Sequence, residues 1–262
     1  MSDAELAKYY EVDHDEAQRL RRGPGQLEYA RTVELLSRFL PSPPAKVIDV
    51  GGGTGVYSGW LAGKGYEVEL VDPVPSHVDA ARDEGSFASM VGDARALDAP
   101  DDSFDAALLL GPLYHLRSKA DRISALKEAR RVVRSGGFVC VAFISRSSVF
   151  FDAFLNDWAQ NRGALEMMAD VARNGLTERR SGFGAVSYFH STEEARFELV
   201  ESGLTVVQLV GIEGPAWLSC EFDARWQDAA WQEVALAAAR AAEADSELTN
   251  SSAHLLGLCR NP

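Results

Sequence analysis

Apolar residues follow two rhythms along this chain, and their alternation predicts the fold. Short apolar-rich runs at 47–50, 67–71, 89–91, 104–110 and 138–144 have the length of buried strands. Between them, helical segments are predicted at 28–40, 57–63, 78–83 and 119–133. Tyr29, Val33, Leu36 and Leu40 place one apolar face on the first helix, and Pro41-Ser42-Pro43-Pro44 stops it. Strands that alternate with helices, several of them apolar throughout, predict a parallel sheet covered on both faces. A helix over 192–201, a strand over 205–210, an alanine-rich helix over 231–244 and a strand over 252–259 complete the pattern.

Two stretches break that rhythm. Residues 147–187 are aromatic and mixed in charge without alternation, and a second irregular stretch begins at 211. The expected organisation is a single domain over 1–262. It comprises a helical front segment (1–44), a ligand-binding core (45–146) and two covers (147–187 and 211–250) over one sheet edge. The front segment reads equally as a lid or as a solvated extension.

The most informative stretch runs from Val47 to Gly55, an apolar strand ending in Gly51, Gly53 and Gly55. Glycine there removes the Cβ that would hold a ligand off the backbone and permits positive φ in a tight turn. The helix that follows aims its free N–H groups at the same place. In an open α/β sheet, ligands bind outside the carboxyl ends of the strands. That edge carries the glycine turn, Asp72, Asp93 and the Gly111–His115 turn. Asp72 follows the glycines by about twenty residues, where a carboxylate can accept from both ribose hydroxyls. Asp93, after the third strand, suits an adenine amino group. Each acid has an alternative as a helix N-cap. The Gly53-x-Gly55-x-x-Ser58 spacing by itself also fits a nicotinamide dinucleotide.

Composition narrows the partners. A net charge of −13 supplies no basic stripe for nucleic acid. No apolar run is long enough for a membrane span and no basic-plus-apolar leader is seen, so a cytoplasmic location is expected. Cys140, Cys220 and Cys259 lack paired spacing and read as reduced thiols. A monomer or homodimer is expected.

Together, Asp49-x-Gly51-x-Gly53-x-Gly55, Asp72, Gly92-Asp93-Ala94, Phe104-Asp105 and Gly136-Gly137 resemble the class I S-adenosylmethionine-dependent methyltransferases in order and spacing. The resemblance is close over roughly 45–145 and looks like the small-molecule type of secondary metabolism. It implies a Rossmann-like, seven-stranded, doubly wound sheet and S-adenosyl-L-methionine as cofactor. By position it implies that Gly51 and Gly53 cradle the methionine moiety, with Asp49 holding the loop or the amino group. Asp72 and Pro73 then meet the ribose, Asp93 and Ala94 the adenine, and Leu110 and Gly111 the methionine amino group. Arg31 or Tyr10 on the front segment would meet the carboxylate, with a solvated face or core packing as their alternatives. The sequence departs from the family's nucleobase and glutamine enzymes at Leu110-Gly111-Pro112-Leu113-Tyr114. It also lacks the acidic pair of the magnesium-dependent catechol enzymes, so no metal is expected.

A sulfonium methyl is electrophilic already, so the chain's task is to align a nucleophile, exclude water and, where needed, take a proton. His115 follows the fourth strand and is the first candidate base, its alternative being to pack the cofactor; Tyr114 lies beside it. His190, where the first cover rejoins the sheet, is the second, against a role capping the next helix. Glu213 is the third, as a base or an amine-binding carboxylate. The expected function is methyl transfer to a small metabolite at O, N or C. Its alternatives are a non-methylating S-adenosylmethionine-binding protein and a nicotinamide oxidoreductase.

Overall fold

The structure is a computed structural model describing residues 16–177 and 187–262. Its strands are β1 (Lys46–Val50), β2 (Glu67–Asp72), β3 (Ala88–Val91), β4 (Phe104–Leu109), β5 (Val133–Ser145), β6 (Phe189–His190), β7 (Thr205–Gly211) and β8 (His254–Arg260). They form one sheet in the order β3-β2-β1-β4-β5-β8-β7, with β6 pairing parallel to β5. Only β8 runs antiparallel to its neighbours, β5 and β7. The order reverses between β1 and β4, which leaves a crevice at their carboxyl ends.

The continuous apolar runs are explained by burial on both faces. Successive residues of a strand point to opposite sides, so Ile48 and Val50 join one core cluster while Val47 joins the other. Phe104, Ala107 and Leu109 of β4 divide from Ala106 and Leu108 in the same way. The Lys119–Val132 and Thr192–Glu201 helices cover the first face through Leu126, Ala129 and Leu199. The Gly25–Phe39 and Val56–Gly63 helices cover the second through Leu35, Leu36 and Leu61. Each of these buried leucines contributes about 1.5–3 kcal/mol.

Three details differ from the sequence expectation. Among the described residues the strand count is eight, because Phe189 and His190 add a short parallel pair beside Ile144 and Ser145. The Ser135–Gly137 turn lies inside β5, where the β4–β5 register shifts between Phe104 and Ala106 and Gly136 takes φ 76°. The first cover is helical over its described part, with helices Ser148–Leu155 and Ala164–Asn174. Val149 and Ala153 are buried on the first of these, and Ala164, Met167 and Val171 form one buried face of the second. Cys140 and Cys259 are buried free thiols. No described helix is long and apolar enough to cross a membrane.

Candidate functional site

A cavity opens where β1, β2 and β4 end, and its floor is backbone. Gly51, Gly53 and Gly55 have φ values of 69°, 57° and 87°, a region other residues rarely enter. A Cβ on Gly51 would stand 2.9 Å from Pro112, and one on Gly111 3.2 Å from the Gly51 carbonyl oxygen. The first and fourth strand ends therefore approach so closely that side chains there would fill the cradle. Gly55 then caps the Val56–Gly63 helix.

Three carboxylates stand around this floor. Asp72, at the end of β2, accepts from Gly53 N and Val74 N at 2.9 Å each, with His77 Nδ1 at 3.3 Å. These bonds lock its rotamer beside the glycine turn. Asp49 is 1% exposed and accepts from the Ser58 hydroxyl at 2.6 Å. Burial pushes its carboxyl up to about 6, against the pull of Ser58 and with the help of the Asp72 charge. Asp93 is more open. Bonds from the Arg95 side chain and backbone hold its carboxyl below the usual range.

A second cavity of about 400 Å³ lies beyond β5. Ile144, Val149, Met167, Phe189 and the indoles of Trp158 and Trp217 make it largely apolar, and Ser148, Asp152, Thr177 and His254 add polar points. Both covers contribute, and the Phe151 and Trp217 rings meet edge to face. Two contacts tie this cavity to the first. Tyr188 N donates to the Tyr114 carbonyl at 2.8 Å, joining the chain beside Phe189 to a first-cavity residue. On the other side Arg19, in the wall of the first cavity, bonds Glu28 at 2.6 Å. Glu28 in turn lies 3.8 Å from His254 Nδ1.

Most sequence-predicted residues converge on the first cavity. Asp49, Gly51, Gly53, Asp72, Pro73, Asp93, Ala94, Leu110, Gly111, Tyr114 and His115 all line it. Tyr114 Oη donates to the Leu110 carbonyl at 3.3 Å, and its ring meets that of His115 at 4.8 Å.

Three candidates face elsewhere. Arg31 is fully buried away from both cavities; it donates to the Ile212 carbonyl and pairs with Glu34 and Glu243. It pins the front helix to the region after β7 and has no reach toward a cofactor carboxylate. His190 is also fully buried, wedged against Phe143 and Tyr188, with Nε2 3.3 Å from Glu198. Burial lowers its pKa although Glu198 opposes this. It lines neither cavity, and Ser191, not His190, caps the following helix. Glu213 is 1% exposed, and its carboxylate is taken up by Ser252, the His254 backbone and the His254 ring. It orients another group instead of meeting a substrate. Tyr10 lies outside the described residues.

Other cavity residues carried no pattern in the sequence. Arg19, Tyr57 and His77 line the first cavity and His254 the second. His77 follows Asp72 by five positions, a spacing that signals a partner only once the strand end is known. The partners of Arg19 and His254 depend on the tertiary fold.

The comparisons agree with this geometry. A methyltransferase domain family matches residues 48–141. The first curated relatives, among them an uncharacterized methyltransferase of Mycobacterium bovis, are 32% identical over 105 residues. That match takes in 40% of this chain and 42% of the relative, so the chain spans about two fifths of their length. The ubiquinone/menaquinone biosynthesis C-methyltransferase of Acidiphilium cryptum is 30% identical over 185 residues, covering 59% of this chain and 72% of that protein. The chain belongs to the class I S-adenosylmethionine-dependent methyltransferases. The fold of this chain is shared by a solved Thermotoga maritima protein described as a possible histamine N-methyltransferase. The two superpose with a TM-score of 0.60 at 18% identity over 99% of this chain and 95% of that one.

Proposed function

We propose that this chain transfers a methyl group from S-adenosylmethionine to a small organic acceptor held in the second cavity. The observation that carries the reading is the pairing of two unlike cavities. One is floored by glycine backbone and edged by carboxylates, and the other is apolar and roofed by two insertions. The first fits the cofactor. Asp72 would take the ribose hydroxyls, Asp93 the adenine amino group, and the Gly51–Gly53 and Leu110–Gly111 backbone the methionine end. Bound there, the cofactor supplies an electrophilic methyl, so the chain has to orient the acceptor and exclude water. Tyr114 and His115 stand at the side of the first cavity that adjoins the second. The second has the size and apolar character of a small-molecule site.

The acidic surface and the covered cavity favour a metabolite over a nucleic acid. A relative named for quinone-biosynthesis C-methylation is compatible with an aromatic acceptor. Calorimetry with S-adenosylhomocysteine and a labelled-methyl transfer assay over a panel of metabolites test the reading. Trp158→Ala and Trp217→Ala are expected to lower transfer at least tenfold while leaving S-adenosylhomocysteine affinity within about twofold. Parallel loss of both would mean that the second cavity is not a separate acceptor site.

A further inference from the structure

Of the buried polar groups outside the cofactor cavity, one cluster is aimed rather than merely satisfied. His254 opens β8 at the wall of the second cavity. Its Nδ1 is 2.6 Å from Glu213 Oε1, and its backbone N donates to Glu213 Oε2 at 3.0 Å. Glu213 is itself fixed by the Ser252 hydroxyl at 2.6 Å, which also accepts from Glu213 N at 2.8 Å. With Nδ1 claimed, the ring has one setting, and Nε2 is turned from the carboxylates. No described residue bonds Nε2, and it is not among the sealed, unpartnered atoms. The ring therefore offers one accessible nitrogen to an apolar chamber.

We propose that His254 is a catalytic residue that takes the proton of an acidic hydroxyl, phenolic or enolic, on the methyl acceptor, and that Glu213 is its positioning residue. The inference rests on the methyl-transfer reading above and names its acceptor class. The acceptor O–H bond breaks as Nε2–H forms. The freed oxygen pair forms the O–CH₃ bond while the C–S bond breaks and leaves its pair on sulfur. The products are an ether and S-adenosylhomocysteine, and the proton leaves the imidazolium for solvent when the ether departs.

The charges around the ring suit this hydroxyl class. Glu28 and Glu213 face the imidazole from the Gly25–Phe39 helix and from the turn after β7, and Arg19 stands behind Glu28. Burial lowers the His254 pKa, but the two carboxylates outweigh it and raise the value to about 9. A phenol titrates near 10, so proton exchange between the two costs little, as general-base catalysis favours. An acceptor arriving as the hydroxyl meets neutral imidazole and one arriving as the oxyanion meets imidazolium; both give the same bound state. Glu28, Glu213 and His254 offer ligand atoms within 4.8 Å of one another, as a metal set would. Arg19 and the imidazolium already supply the positive charge that an ion would bring.

The probe is 2-naphthol, whose anion has its own absorption band, added to the full chain loaded with S-adenosylhomocysteine. The wild type is expected to bind it with the naphtholate band visible at least one pH unit below the free naphthol's own titration. With S-adenosylmethionine it is expected to release 2-methoxynaphthalene. His254→Phe is expected to keep S-adenosylhomocysteine affinity within twofold, lose the band and lose transfer at least a hundredfold. Glu213→Gln is expected to move the pH midpoint of transfer down by a unit or more, and Glu213→Asp to restore most of it. If Glu213→Gln fails to fold, Glu28→Gln gives the same direction of shift. Absence of naphthol binding, binding without ionisation, or equal transfer by the wild type and His254→Phe would overturn the proposal. A naphtholate band that depends on His254 with no ether formed would uphold the proton-accepting role and sink the methyl-transfer reading instead.

Discussion

Around the first cavity the functional carboxylates are held by neighbours in the chain: Asp93 by Arg95, Asp72 by Val74, Asp49 by Ser58. Away from that floor, groups meet across the whole fold. Arg31 reaches Glu243, Arg122 reaches Glu198 from 76 residues away, and Glu213 holds His254 from 41. The difference teaches where chemistry can be read from residue order. A strand end with its glycine turn fixes its own geometry, whereas a buried ion pair is fixed by two elements that only the folded sheet brings together. A lone buried acid or histidine in the second region is therefore ambiguous until its partner is seen.

The sharpest way to break this contrast is to cut a long-range pair. Arg122 is 1% exposed and is bonded to Glu198 at 2.7 Å, with His190 on the other side of the carboxylate. Arg122→Ala leaves that buried carboxylate with only the His190 ring beside it, with an expected loss of about 3–5 kcal/mol in urea unfolding. Folded protein should still bind S-adenosylhomocysteine with near wild-type affinity. Affinity falling in proportion to stability would show that the two regions are not energetically separate.

Next in size is Asp72→Ala, which strikes the local region. Charge-assisted bonds to ribose contribute roughly 1.5–3 kcal/mol each, so a weakening of about a hundredfold is expected by calorimetry. The Gly53 and Val74 N–H groups also lose their acceptor, so circular dichroism must show retained structure. An unchanged affinity would remove Asp72 from the ribose assignment.

These two variants frame how much could be read in advance. The β1–β5 order, the glycine cradle and the residues at strand ends were legible because apolar period and turn chemistry are local properties. The eleven sequence-predicted residues lining the first cavity all sit within a few positions of a strand end. Arg31 and Glu213 were misread because burial with a distant partner leaves no mark in spacing, and His190 because its burial against Glu198, eight residues on, needs the fold to be seen. His254 carried no pattern in the sequence for the same reason, its partner Glu213 lying 41 residues away. The helices of the first cover were missed although Ala164, Met167 and Val171 share one buried face, because the surrounding stretch mixes aromatic and charged residues.

A pH titration sharpens the comparison further. His254 has a folded pKa raised from 6.5 to about 9, so its contribution is complete below pH 6.5 and lost as pH rises through 9. With its ring partly open to solvent, at most about 3 kcal/mol is at stake. Asp49 works at the other cavity and at lower pH. Its folded pKa, raised to about 6 from 3.8, favours the protonated native state, and that contribution is lost as pH rises through 6. Unfolding free energies should fall in two separate windows, the upper absent in His254→Phe and the lower in Asp49→Asn. A single merged transition would mean that the two clusters titrate together.

The smallest expected effect belongs to Asp93→Ala. Its carboxylate is the most exposed of the three acids and already shares its charge with Arg95, whose guanidinium bonds both oxygens. One contact to an adenine amino group at such a site contributes about 1 kcal/mol, a fivefold change in affinity. Removing the acid also releases Arg95, and part of the loss is recovered if the freed guanidinium settles on the adenine face. Competition between S-adenosylhomocysteine and its inosine analogue, which has a carbonyl in place of the amino group, separates these terms. The wild type should prefer the amino form about fivefold, and Asp93→Ala should show no preference. Equal discrimination by both proteins would mean that the amino group is read by backbone near Ala94, with Asp93 serving only to hold Arg95.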